Sequence, residues 1–401
     1  MSGKQYVMHV YSPSGEFIRA WPAVATLPAF RWAINSGPQS MSLTLPRAWG
    51  GAGEVGESGS LSDLQMENQV DTYVVDKDTD GNGRLIHRGF IEDYEINMPA
   101  SDGVPMTLIP YTSLFQDTFI EGPVVFTNED PSVMMQSIVE TYMPGISWDS
   151  ANPLVGLTFS QTIENMKVTA ALEIIRRLGG AQWYYRLNPD NTLTFSFWDL
   201  LAPATHMLNA NHYSSARFRR SRQDVKTRVF LFGQKEQRDN DGVLTQPRIA
   251  VSVTGSNYNS ARPRDLFVTD SRITDNGTGI RIANALLEYH RSDSIEGQNE
   301  VIDSNEDSVR GYDIESFKPG DTVEFFHPDL IYDWPKYDGD YYYDTTAYYN
   351  GVYASQVRGP LIIAAIDYRG TSAVLSLTTR PAGVMEALVG VADKVLLEAS
   401  N

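Results

Sequence analysis

Between Val70 and Phe119 apolar and polar residues alternate in short runs, and Gly, Asp or Asn breaks each run. A period of two puts apolar side chains on one face of a pleated strand and polar ones on the other. The strand VDTYVV leads into the acidic turn DKDTDGNG, and RGFIEDYEI returns from Arg88 to Ile96. A second turn, another strand and the line IPYTSLFQDTFI follow. The stretch reads as antiparallel hairpins rather than as a cofactor-binding fold, and nothing in it is built for chemistry.

The same reading extends upstream. Tyr6 to Tyr11 forms a strand, Ser12-Pro13-Ser14-Gly15 a turn, and Phe17 to Trp21 the return. Met41, Leu43 and Leu45 alternate with Ser42 and Thr44 on a half-buried strand. Gly50 to Ser62, rich in Gly, Ser and Glu, reads as an inserted loop. Residues 1–119 are therefore expected to form a first β-barrel domain.

Residues 120–200 change pattern to a small α+β domain. Asp130 and Pro131 mark a helix start, and that helix runs to about Met143. A second helix is expected over Ile163 to Leu178, with Val168, Leu172 and Ile175 on one buried stripe and Gly179-Gly180 as its stop. A hairpin follows, Gln182 to Leu187 and Leu193 to Trp198, across the turn Asn188-Pro189-Asp190-Asn191.

Residues 201–380 return to β and are expected to form a second barrel. They hold the strand VKTRVFLFG, a helix from about Thr278 to Tyr289, and the turn Lys318-Pro319-Gly320-Asp321 that opens TVEFF. LIIAAIDY pairs with SAVLSLT across Arg369-Gly370. From 381 to 401 an amphipathic helix repeats Val384, Leu388, Val391 and Val395, a spacing that suits a partner helix or a docking groove.

Composition narrows the function classes. The chain of 401 residues has no cysteine, which excludes disulfides, thiolate nucleophiles and Cys-based zinc sites. A formal net charge of −18 argues against duplex binding, where Lys and Arg neutralise phosphates. It fits a soluble protein, or one that lets a polyanion pass without sticking. The opening MSGKQYVMHVYS reads as a strand rather than a signal peptide, and no apolar run approaches the roughly 20 residues that span a bilayer.

Four pieces, in this order, resemble the hub proteins of phage tail tips and baseplates, of tailocins and of contractile injection systems. RGFIEDYEI resembles that family's Gly-containing strand near the end of its first barrel. ALEIIRRLGGAQWYYRLNPDNTLTF resembles its helix, Gly and paired-strand unit. ARFRRSRQDVKTRVFLFG resembles the strand entering its second barrel, and FKPGDTVEFF the turn and strand closing it. The resemblance implies a mainly β chain with an α+β part. Two tube-type β-barrels and the small domain would assemble as a homotrimeric ring of near-sixfold inner symmetry. Such a protein is an adaptor and conduit, not a catalyst.

Each candidate site has a plainer reading beside it. Asp76, Asp78, Asp80 and Gly81 match the first half of a calcium loop, but position twelve is His87 and strands flank the loop. An exposed hairpin turn is the better reading. Arg217, Arg219, Arg220 and Arg222, with Lys226 and Arg228, form the dense basic run. Alternation along a strand sends them to two faces, which suits a contact with an acidic neighbouring subunit better than nucleic acid. The stretch 329–353 interleaves Tyr337, Tyr341, Tyr342 and Tyr343 with aspartates, and it reads as a protein contact ahead of a glycan site. Leu388 and Val395 complete the expected interface set.

No GxSxG, HExxH or P-loop string is present, and the six histidines lack ligand spacing, so no catalytic residue, metal or cofactor is expected. The expected role is a structural hub joining a hexameric tail tube to a central tip, with DNA passing through its lumen unbound. Its expected partners are tail tube, tape measure and tip or fibre proteins, in the virion tail after assembly in the host cytoplasm. The alternatives are a tail component that binds or degrades glycans, and a hub or spike of a bacterial contractile injection system.

Overall fold

The computed structural model describes residues 5–326 and 361–379, apart from 23–25, 47–64, 76–82, 95–102, 157, 180–182, 199–202, 210–211, 223–224, 239–241, 243, 247, 270–275, 291–293 and 305–310. The inserted loop at 50–62, the acidic turn at 76–81, the stretch 329–353 and the C-terminal helix all lie outside the described residues. Two compact units divide the chain: Met1–Arg217 with Gly297–Leu377, and Phe218–Glu296 with Thr378–Asn401.

The first unit is built on an antiparallel-dominated sheet of thirteen strands. Its main path runs Phe17–Pro22, Gln5–Tyr11, Gln69–Val75, Arg84–Tyr94, Gly103–Pro110, Met41–Pro46, Thr26–Ala33, Leu361–Arg369, Ser372–Thr378, Ser294–Ile302 and Tyr213–Ser221. Among the described residues this path is open, ending on Phe17–Pro22 and Tyr213–Ser221. The alternation expected of its strands holds: Met8, Val10, Met41, Leu43, Val70 and Leu108 are buried. IPYTSLFQDTFI departs from it. Thr112–Asp117 is a short helix there, because the chain leaves the sheet after Pro110 and caps the neighbouring module.

Leu361–Arg369 is the branch point of the sheet. Leu361 and Ile362 pair with Val323 and Thr322, whereas Ala365 to Arg369 pair with Ala33 to Ala29. The opposite edge of this strand takes Ser372–Thr378. One strand thus joins strands from the two ends of the chain. Its apolar run is nearly continuous because both faces are covered, and Leu361, Ile362, Ile363 and Ile366 are at most 1% exposed.

Gly89, the glycine of RGFIEDYEI, sits where two strands of this sheet approach closely. A Cβ there would lie 2.4 Å from the Ile109 carbonyl oxygen and 3.0 Å from His87 Cε1. The obstacle is backbone of the paired strand, which cannot rotate away. Gly89→Ala is expected to lower stability by about 1–3 kcal/mol, read as a fall in the urea midpoint, through overpacking. An unchanged midpoint would show that the two strands separate freely.

The α+β module, within the same unit, packs helices Pro131–Tyr142 and Val168–Gly179 against the hairpin Trp183–Leu187 and Thr192–Phe197. Asp130 caps the first helix: its carboxylate accepts from the backbone N–H groups of Ser132 at 2.8 Å, Val155 at 3.1 Å and Gly156 at 2.7 Å. The second helix begins at Val168, five residues later than the sequence pattern indicates. Phe159–Ile163 instead pairs with Val124–Glu129, and Met166–Lys167 with Phe119–Ile120, so ladder hydrogen bonds claim that stretch. Val168, Leu172 and Ile175 are buried as expected, in one core with Met134, Ile138 and Phe195.

The second unit contains a three-stranded sheet, ordered Ala250–Thr254, Arg228–Phe232, Asp265–Thr269. The helix Asn276–Tyr289 covers one face, burying Ala283 and Leu286 against Val229, Leu231, Val251, Leu266 and Val268. The segment ARFRRSRQDVKTRVFLFG is therefore two strands: Tyr213–Ser221 ends the large sheet and Arg228–Phe232 centres the small one.

Candidate assembly surface

The interior of the first unit is pinned by charged groups whose work is mechanical. Asp71 and Arg88 face each other across paired strands. Arg88 Nε donates to Asp71 Oδ1 at 2.8 Å and Nη2 donates to Oδ2 at 2.6 Å. Gln69 Nε2 donates to the same carboxylate at 2.9 Å, and the Tyr111 hydroxyl donates to Gln69 Oε1 at 2.8 Å. Burial works against the Arg88 charge, but the Asp71 hydrogen bonds and charge outweigh it and raise its pKa. Burial, then the Asp71 charge, pushes the Tyr73 hydroxyl up to about 12. The network ties the sheet to Tyr111, which packs on the core of the α+β module.

A second clamp gathers residues that are distant in sequence. His206 Nε2 lies 3.0 Å from Asp321 Oδ2, and His206 Nδ1 lies 3.1 Å from the Tyr312 hydroxyl. Arg186 Nη1, from the hairpin, donates to the Pro319 carbonyl at 2.6 Å and reaches Asp321 Oδ1 at 3.5 Å. Asp321 also accepts from the Lys318 backbone N–H at 3.0 Å. Gly320, at φ +94°, lies against the Tyr184 ring, where a Cβ would come within 2.4 Å. The turn Lys318–Asp321 is thus a lock between hairpin and sheet. His206, Tyr312 and Asp321 resemble a proton relay only superficially, since every one of them is spent on this packing.

A cavity of about 440 Å³ opens beside Asn35, Ser36, Phe115, Met143, Lys167 and Leu172. Its lining holds no histidine and no carboxylate; its titratable side chains are Lys167 and Tyr185, and burial raises the Tyr185 pKa. Among the described residues no group of three or more His, Asp or Glu side chains is placed to hold a metal ion. His87, position twelve of the half calcium loop, is fully buried within Arg84–Tyr94, with its Nε2 3.0 Å from the Gln39 carbonyl oxygen. It cannot serve as a loop ligand. No helix of the described residues is long and apolar enough to cross a membrane.

Of the residues expected at an interface, Arg217, Arg219, Arg220 and Arg222 lie among the described residues. Arg217 and Arg219 are exposed on Tyr213–Ser221, the end strand of the large sheet, and Arg220 shares that strand. Arg222, just beyond, is exposed, and its carbonyl accepts from Arg264. Basic side chains along the end strand of a sheet discourage indiscriminate strand addition. They also leave it able to meet an acidic partner. At the other end of the sheet Phe17 is 58% exposed. Tyr337, Tyr341, Tyr342, Tyr343, Leu388 and Val395 lie outside the described residues, as does the Arg220 side chain.

Compared with known proteins, the chain matches no family model, and no curated protein matches it in sequence. Its fold, however, is that of solved phage tail proteins. The 43 kDa tail protein of prophage MuSo2 from Shewanella oneidensis aligns at a TM-score of 0.55 and 13% identity, over 94% of this chain and 98% of that one. Prophage tail protein gp18 from Listeria monocytogenes aligns at 0.55 and 13%, over 97% and 99%. A tail protein from Neisseria meningitidis aligns at 0.57 and 10%, again over 97% and 99%.

Proposed function

We propose that this chain, which has the phage tail-protein fold, is a structural component of a tail, serving as the trimeric hub of its tip or baseplate. The observation that carries the reading is the near-complete mutual coverage of three tail proteins. A chance likeness of one common β-module would leave most of each chain unmatched.

In this reading the strands on either side of Leu361–Arg369 form two tube-type barrels per subunit. Three subunits then present six similar barrels to a hexameric tube, while the whole keeps threefold symmetry for the central tip. The net charge of −18 keeps DNA phosphates from adhering as the genome passes. The partners are the tube, tape measure and tip or fibre proteins, and the place is the virion tail. The role is not enzymatic: the buried charged groups in hand are spent on packing. The glycan alternative rests on 329–353, outside the described residues, and no geometry favours it.

Light scattering on the purified chain tests the assembly, with an expected mass three times the 44.7 kDa of one copy. A single-copy mass at every concentration would remove the trimeric ring. Electron microscopy of antibody-labelled virions tests the place, and label along the tail shaft or on the capsid rather than at the tip would refute it.

A further inference from the structure

Among the described residues, the small sheet of the second unit has one face covered by the helix and one open face. Val229 and Leu231 point to the helix, while Arg228, Phe230 and Phe232 point away from it. In register beside them stand Thr254 and Asp265, then Ser252 and Phe267, then Ala250 and Thr269. Phe267 is 66% exposed. An open sheet face normally carries polar side chains, so a Phe230, Phe232 and Phe267 cluster needs a cause. The run VFLF has the composition of a strand covered on both sides, and among the described residues only one side is covered.

The cluster is also organised. The Phe230 and Phe267 rings stack with centroids 5.0 Å apart and planes 7° from parallel. Arg228 lies over Phe230 at 4.6 Å and over Tyr258 at 4.8 Å, held by Asp265 through contacts of 3.0 and 2.6 Å. Arg248 lies over the Phe232 ring at 4.8 Å and is exposed. Aromatic residues and arginine are the types enriched at protein contacts. A base-stacking platform needs free ring faces. Here Phe230 already stacks on Arg228 and Phe267, so its ring faces are occupied. The face suits a flat protein partner.

Charge identifies that partner. Residues 218–296 hold 13 Lys and Arg against 10 Asp and Glu, a balance of +3 inside a chain of −18. All remaining residues together therefore carry −21, from 19 basic and 40 acidic side chains. The basic segment 218–296 and the acidic remainder are complementary between copies.

We propose that the outer face of this sheet, centred on Phe230, Phe232, Phe267 and Arg248, docks on an acidic surface of a second copy of this chain. The contact is heterologous, one patch meeting a different patch, and such contacts close into rings when the rotation allows. The inference rests on the trimeric reading above and adds the surface that makes the ring.

Full-length Phe267→Glu and Arg248→Glu, each checked for an unchanged circular dichroism spectrum, test it by light scattering at low and high salt. Phe267 and Arg248 are exposed, so both variants keep the core intact. The expected result is a wild type of three-copy mass and variants that fall to one copy. Their dissociation constants should rise about thirtyfold or more, as for a hot-spot side chain. Folded variants that keep the three-copy mass overturn this surface and leave the trimer standing. A wild type of one-copy mass overturns both. Single-stranded DNA retained by the wild type and lost by Phe267→Glu, with mass unchanged, would assign the face to nucleic acid and overturn the proposal.

Discussion

Replacing Arg88 with alanine is expected to destabilise the first unit by about 3–5 kcal/mol, because it strands a buried carboxylate. The Asp71 side chain is only 2% exposed and that of Arg88 24%, so water cannot replace the lost partner. Gln69 would remain at 2.9 Å and the Tyr73 hydroxyl at 3.4 Å, but two neutral donors do not offset a buried negative charge. Removing both charges, Asp71→Asn with Arg88→Met, should cost far less, since no ion is left unpaired. Urea denaturation followed by circular dichroism measures both. A single-variant loss below about 1 kcal/mol would mean that the pair is solvated, contrary to its burial. The pair joins two strands of the large sheet, and the adjoining Tyr111 contact reaches the α+β module. Arg88→Ala should therefore also loosen the module's attachment, seen as faster hydrogen exchange in the Trp183–Leu187 hairpin.

Acid should weaken the same unit through His87. Burial holds this imidazole neutral and lowers its pKa from 6.5 to about 4, although its bond to the Gln39 carbonyl opposes the shift. That carbonyl can only accept, so Nε2 carries the proton. Nδ1 is buried with no hydrogen-bond partner among the described residues. A second proton would have nowhere to donate. The folded pKa lies below the unfolded one, so the unfolded chain binds the proton more readily. Stability from this group is complete above about pH 6.5, falls as pH drops towards 4, and is lost below that. The total loss is about 3 kcal/mol. His87→Gln keeps a donor towards Gln39 and removes the titration. Unfolding free energies of the two proteins between pH 7.5 and 4 should converge by that amount, with the common carboxylate effects cancelling. Parallel curves would show that His87 does not titrate on unfolding.

Much of the chain was legible because its signals are local. Alternation placed Gln5–Tyr11 and Gln69–Val75, the apolar run LIIAAIDY placed Leu361–Arg369, and the Asp130-Pro131 pair placed the helix Pro131–Tyr142 within a residue. Val168, Leu172 and Ile175 pointed inward as their spacing required. The early start expected for that second helix failed because Ile163 pairs with Val124, and Met166 and Lys167 with Ile120 and Phe119, and propensity cannot register partners so far along the chain. Arg217 and Arg219 were legible as surface residues, but their place on an end strand was not. The open aromatic face had a signal in the run VFLF, since four apolar residues in succession ask for cover on both sides of a strand.

What the sequence alone determined about this protein is its inventory: which segments are strands or helices, which faces are apolar, and that no nucleophile, metal or disulfide motif is spelled out. Each of these follows from residues a few positions apart, where the periods of strand and helix operate. Only the tertiary structure decided that Leu361–Arg369 joins strands from both ends of the chain. It also decided that Asp321 collects His206 and Arg186, and that Phe230 and Phe267 share an uncovered face. Those outcomes depend on which strand edges meet. An edge is the same row of backbone N–H and C=O groups whatever the side chains, so its partner is chosen by the packing of the whole sheet.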